Sequence, residues 1–214
     1  LKLLQSGYGV KTYRLLRQYG LFEPLFPLLT PYFTEYEDSM TEKMILRALT
    51  STDERVADKL PINPAFLFAA FFWYPLRERV EVLKNEGGLN NYDAYALASN
   101  DILEQLCKSL AVPRRHTAVI REIWLLQLQF LKRTPKSVQR AIEQAKFRAG
   151  FDLLVMRAEI EGGEAVELAA WWHEYQFSNE SQRQDLVKEL PSQPKKRKYH
   201  RRKRHHSAKK VSHE

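Results

Sequence analysis

Cations are the residues whose spacing carries a chemical meaning. Arg114, Arg121 and Lys132 lie 7 and 11 residues apart. At about 100° per residue these spacings return a side chain to nearly the same direction, so a helix from Pro113 to Arg133 would set the three in one row about 27 Å long. Arg115 and Arg133 form a second basic line further round, and Ile120, Ile123, Trp124 and Leu131 point away and suit a core. A row of cations on a rigid helix can neutralise successive phosphates of a single strand. The plain alternative is a solvated face with no partner. Lys136, Arg140, Lys146 and Arg148 add to the same region. Lys136 and Arg140 are four apart, hence adjacent on a helix and mutually repulsive unless an anion sits nearby, although Glu143 could offset part of this.

The second basic signal is the C-terminal run of Lys195, Lys196, Arg197, Lys198, Arg201, Arg202, Lys203 and Arg204, with Tyr199 available to stack on a base. Residues 195–214 hold 10 Lys/Arg against one acid, whereas residues 1–194 hold 24 against 25. The excess charge therefore belongs to the tail. Such a run cannot fold alone and binds polyanions with little sequence preference. RNA is favoured over an acidic membrane because no amphipathic or lipid anchor lies beside it. The body is uneven as well: residues 105–157 carry a net +8 between two segments of net −6 each.

Other chemistry finds little support. Glu159, Glu161, Glu164 and Glu167 surround Gly162-Gly163, but Glu164 and Glu167 then fall in the first turn of a helix, where the dipole favours them. His116 and His173 are isolated, and His205-His206 lacks the further ligands of a metal site. Trp171-Trp172-His173-Glu174-Tyr175 could stack bases, yet aromatics at helical spacing more often form core. Cys107 is the only cysteine, which excludes a disulfide framework and fits a reducing cytosol. No apolar run reaches the length of a membrane span, and no signal peptide opens the sequence.

The elements that must position these residues read as helices. Long helical patterns broken by Asn-Pro, Val-Pro and Thr-Pro, with few glycines and no convincing alternation, predict an all-α protein: a multi-helix body with a disordered basic tail. The body centres on Asn63 to Leu76. Asn63 is an N-cap, Pro64 suits the first helical position, and Ala65 to Tyr74 are apolar or aromatic throughout, so neighbours must bury this helix on every side. Pro75 should kink or end it near Tyr74. Further helices are expected over 2–19, 39–59, 91–110, 113–133, 134–147, 151–161 and 164–177. Leu3, Leu4, Tyr8, Leu15 and Leu16 are available for packing in the first of these. Tyr92, Tyr95, Leu97, Ile102, Leu103 and Leu106 supply the apolar side of helix 91–110.

Several unusual stretches, in order, resemble the bacterial poly(A) polymerases of the tRNA nucleotidyltransferase–poly(A) polymerase family. They are Leu1-Lys-Leu-Leu-Gln-Ser-Gly-Tyr-Gly, Tyr13-Arg-Leu-Leu-Arg-Gln-Tyr-Gly-Leu-Phe-Glu-Pro-Leu-Phe-Pro, the Asn63–Leu76 stretch, Arg121-Glu-Ile-Trp-Leu-Leu-Gln-Leu-Gln and Lys146-Phe-Arg-Ala-Gly-Phe-Asp-Leu-Leu followed by Arg157-Ala-Glu. The resemblance implies a template-independent, ATP- and Mg²⁺-dependent polymerase that adds AMP to RNA 3′ ends and promotes RNA decay in the cytoplasm. RNA helicases and decay enzymes would be partners. The family's catalytic head carries a Gly-Ser and an Asp-x-Asp pair, and this sequence has neither. The resemblance therefore covers the C-terminal body and tail, with no catalytic residue and no cofactor held by this chain. It divides the chain into a neck/body junction (1–34), a helical body (35–177, RNA-binding side 113–157) and a polar linker with the tail (178–214). The competing reading is a non-enzymatic helical adaptor tethered to RNA by its tail.

Overall fold

The structure is a computed structural model and describes residues 2–188, within which every regular element is helical. The ten α-helices are α1 (Gly9–Gln18), α2 (Met40–Ala57), α3 (Pro64–Phe71), α4 (Trp73–Gly87), α5 (Asn91–Ser109), α6 (Arg114–Phe130), α7 (Pro135–Ile142), α8 (Phe147–Glu161), α9 (Gly163–Phe177) and α10 (Glu180–Lys188). Short 3₁₀ turns at Lys2–Gln5 and Pro27–Tyr32 complete them. The basic run from Lys195 to Arg204, expected to be disordered, lies outside the described residues.

Helix starts follow local chemistry. Asn63 Oδ1 accepts from Ala65 N at 3.0 Å, Ser39 Oγ from Glu42 N at 3.1 Å, and Asn90 Oδ1 from Tyr92 N and Asp93 N at 3.0 and 3.1 Å. The first expected helix is broken in two. Gly7 takes φ +87°, and α1 begins at Gly9, where the backbone N–H groups of Gly9 and Val10 donate to the Asp53 carboxylate of α2 at 2.7 and 3.1 Å. The break in the central helix falls at Phe72, two residues before the expected place. Pro75 instead occupies the first turn of α4, where a missing N–H costs nothing.

α3 is the hub, with Ala65 and Leu67 through Phe71 buried and with α2, α4 and α6 packed against it. The larger core surrounds it, and a smaller core surrounds Trp172 with Phe130, Leu154 and Val138. α6 and α8 join the two. α6 gives Ile123 and Trp124 to the first and Leu126 and Phe130 to the second; α8 gives Leu153 and Met156 to the first and Phe151 and Leu154 to the second. Two fully buried indoles keep their donors satisfied: Trp124 Nε1 donates to Ala69 O at 2.9 Å, and Trp172 Nε1 to Phe130 O at 3.0 Å.

The N-terminal segment is held by a buried carboxylate. Glu42 accepts from Arg17 Nη1 at 2.8 Å, from Thr34 N at 2.9 Å and from Thr34 Oγ1 at 2.7 Å. Arg17 also donates to the Tyr13 hydroxyl at 3.1 Å and stacks 3.8 Å over Phe33. Burial pushes the Tyr13 phenol up to about 12 against the opposing Arg17 charge. Outside this anchor, Leu3, Tyr8 and Leu15, expected to pack, are exposed.

Candidate nucleic-acid interface

α6 stops at Phe130, four residues before the turn into α7. Thr134, preceding Pro135, must be extended (φ −79°, ψ 153°), and its side chain caps α7 in a reciprocal box with Ser137. The chain must leave the helix earlier to reach that position, and Lys132 N bonds Gln129 O at 2.9 Å in the closing turn. Lys132 is therefore not on the helix, and the expected row of Arg114, Arg121 and Lys132 does not form. Arg121 is half-buried and donates through Nη2 to Asn100 Oδ1 of α5 at 2.8 Å. Arg114 and Arg115 are exposed in the first turn of α6, at the opposite end from Lys132. Leu131, expected in the core, is 55% exposed.

What the structure brings together instead is a basic corner where the end of α6 meets α7 and the start of α5. Lys132 and Arg140 line one cavity of about 490 Å³, walled by Leu128 and Leu131 and edged by Tyr92. Lys136 lies one turn before Arg140 on α7 and is exposed. Glu143 accepts from Gln139 Nε2 at 2.7 Å and forms no ion pair with Arg140 among the described residues. On the far side, the Arg133 guanidinium lies 5.5 Å from the Trp171 ring centroid, and Trp171 stacks on Tyr175 at 5.2 Å. Trp172 and Tyr175 are buried, so the aromatic run of α9 is chiefly core.

Ion pairing is sparse in this region, whereas elsewhere in the described body six of nine arginines are paired and Lys2, Lys11, Lys43, Arg55, Lys59, Arg77 and Arg183 are not. Arg14, Arg17, Arg47, Arg79, Lys84 and Arg157 each have a carboxylate within 4.0 Å. Among the described residues, none of Arg114, Arg115, Arg121, Lys132, Arg133, Lys136, Arg140 and Lys146 does. Arg148, counted with them from the sequence, pairs with Asp152 at 2.9 Å. The described residues contain no group of three or more side chains placed to hold a metal ion, and no helix long and apolar enough to cross a membrane.

On α5, sequence reasoning misplaced Tyr92 and Leu97, which is 42% exposed. Helical spacing assigns both to the apolar side of α5, yet Tyr92 is 63% exposed at the mouth of the cavity. The signal that could have found Tyr92 is the preceding Asn90 cap, which puts it in the first turn of α5.

Two families match the sequence. The one described as "Polymerase A arginine-rich C-terminus" covers residues 87–206, and the one described as "Probable RNA and SrmB- binding site of polymerase A" covers residues 1–33. The chain is 72% identical over 207 residues to a protein named poly(A) polymerase I from Haemophilus influenzae, covering 95% of this chain and 46% of that protein. It is 48% identical over 205 residues to the protein of that name from Escherichia coli O157:H7, covering 95% of this chain and 44% of that one. The Salmonella typhi protein of that name is 49% identical over 195 residues, covering 91% and 42%. The chain thus spans about half the length of the relatives it matches. The basic corner and all of α5 to α10 fall inside the arginine-rich match, and the chain belongs to the polymerase A family, whose arginine-rich C-terminal region it carries.

Proposed function

We propose that this chain is the RNA-holding region of a template-independent poly(A) polymerase that adds AMP from ATP to RNA 3′ ends and so promotes RNA decay. The observation that carries the reading is the run of eight cations from Arg114 to Lys146 with no carboxylate partner among the described residues, in a body whose other arginines are mostly paired. Unneutralised cations on one region lower the free energy of a polyanion bound there, and the tail continues the same charge. ATP and Mg²⁺ belong to the complete enzyme, held by a head with the Gly-Ser and Asp-x-Asp that this sequence lacks. This chain's residues would bind and orient the strand. The reading extends to the cytoplasm, where a free, exposed Cys107 stays reduced. It also extends to protein partners. The family described for residues 1–33 names SrmB, and Leu3, Tyr8, Leu15, Tyr19 and Leu21 in that segment are exposed, which suits an RNA helicase; decay enzymes are inferred from the same biology.

The test is a salt titration of RNA binding by the full chain and by the Lys132→Ala/Lys136→Ala/Arg140→Ala variant. Each lost phosphate contact on a single strand flattens the log–log salt slope by about 0.7, so the triple variant should lose about 2. An unchanged slope would show these cations to be a solvated face and would favour the adaptor reading.

A further inference from the structure

We infer that the cavity between α5, α6 and α7 is a subsite for one nucleotide of single-stranded RNA, its base stacked at Tyr92 and its flanking phosphates at Lys132 and Arg140. The inference rests on the RNA-holding reading and gives it a definite position. Four observations carry it. The cavity, about 490 Å³, falls within the range of about 300–1,000 Å³ usual for small-ligand sites. Among the described residues no carboxylate lines it, and neither of its cations forms an ion pair. Tyr92 stands 63% exposed, yet its backbone is fixed by the Asn90 cap, so the ring is presented at low entropic cost. The inner wall is polar in a specific way. Gln144 Nε2 donates to Gln129 Oε1, which leaves the Gln129 amide hydrogens and the Gln144 carbonyl oxygen as a donor and an acceptor. A nucleobase edge offers the matching acceptor and donor, as Asn and Gln side chains use with adenine. Cations, an aromatic platform and amide edges together are the means by which proteins hold an unstacked base of a single strand. A peptide would use the apolar wall but leave Lys132 and Arg140 unmatched.

Fluorescence anisotropy on the full chain tests this with a labelled oligoadenylate, an abasic ribose-phosphate strand of equal length, and AMP. Tyr92→Ala should weaken oligoadenylate binding roughly tenfold with the salt slope unchanged, since base stacking is uncharged. The same variant should leave the abasic strand unaffected, and Tyr92→Phe should behave as the parent. Tyr92 is exposed, so loss of fold is not the expected route, and an unchanged circular dichroism spectrum checks this. AMP, with one phosphate, should compete only weakly. If Tyr92→Ala binds both strands as the parent does while the Lys132→Ala/Lys136→Ala/Arg140→Ala variant loses slope, the corner holds RNA but the cavity takes no base, and this inference falls alone. If neither variant changes binding, the RNA-holding reading of the corner falls with it. If AMP binds as tightly as the strand, the cavity is a mononucleotide site and the assignment to RNA is overturned.

Discussion

Arg157 shows how a charge is kept inside this body, and by contrast what the basic corner lacks. Its Nε and Nη2 donate to the two oxygens of Glu161 at 3.0 Å each, Nη1 donates to Gln127 Oε1 at 3.0 Å, and the guanidinium lies 4.5 Å from the Trp73 ring centroid. Gln127 in turn donates to Gly150 O at 2.8 Å, so the network ties α4, α6 and α8. Burial pushes the Glu161 carboxyl up, but the Arg157 bonds and charge, with the Trp73 N–H at 3.2 Å, outweigh it and hold the group below its ordinary range. A carboxyl with a lowered folded pKa adds stability above its unfolded value of about 4.3, and that stability is lost as pH falls through the folded value. Glu161→Gln leaves Arg157 buried without its counter-charge and should cost about 3 kcal/mol at neutral pH. Urea unfolding between neutral and acid pH should show the gap to the parent narrowing below about pH 4. A gap of constant size would assign the cost to packing instead of charge.

At the scale of elements, the crossing of α6 and α8 decides where the basic corner sits. The helices meet at Gly150, where an added Cβ would lie 2.7 Å from Leu126 Cδ1 and 2.9 Å from Leu126 Cβ. Alanine would gain about 1 kcal/mol of helix propensity over glycine. Overpacking a close contact costs about 1–3 kcal/mol, and here the clash includes Leu126 Cβ, which cannot swing away as a side-chain tip can. Gly150→Ala should therefore destabilise, by up to about 2 kcal/mol, in urea unfolding; a stabilised variant would show that α8 can slide on α6. Most of the elements were legible in the sequence because their starts are chemical. Ser39, Asn63 and Thr134 each cap a helix near where their side chains and neighbouring prolines predict. Helix ends were less legible. Nothing within residues 113–133 announces a stop at Phe130; the stop follows from the extended backbone that Pro135 demands of Thr134. Helical spacing also shows which residues share a side but not whether a neighbour covers it. That is why Tyr92 and Leu131 were read as packed and stand exposed, and why the basic stripe was expected along α6 and is instead a corner at its end.

Over the whole molecule, charge is partitioned between a body that is nearly neutral and a terminal run with 10 Lys/Arg against one acid. A neutral body can still carry a local field. Its acids are concentrated in residues 35–104 and 158–194, where most of the paired arginines find their partners, and the cations of 114–146 find none among the described residues. On the proposed RNA-holding reading, tail and corner would act on one strand in different ways. The tail offers many exchangeable phosphate contacts and should dominate the salt slope, whereas the corner, on fixed helices, should set where the strand lies. Ending the chain at Gln193 removes every one of those 10 cations. If roughly half of them contact phosphate, the slope should fall by about 3 to 4, more than the roughly 2 expected for the three corner cations. The combined variant decides whether the two regions cooperate. Contacts to separate phosphates of one strand give slope losses that add, while the affinity losses depend on linkage. When two sites share a strand, the second engages at an effective concentration set by the intervening nucleotides, so the loss of either site removes that advantage as well. Lengthening the RNA from a strand that reaches one site to one that spans both should therefore raise affinity for the full chain by far more than for either single variant. A length dependence that stays the same after the tail is removed would mean that tail and corner bind RNA independently, and that the body gains nothing from the charge that follows it.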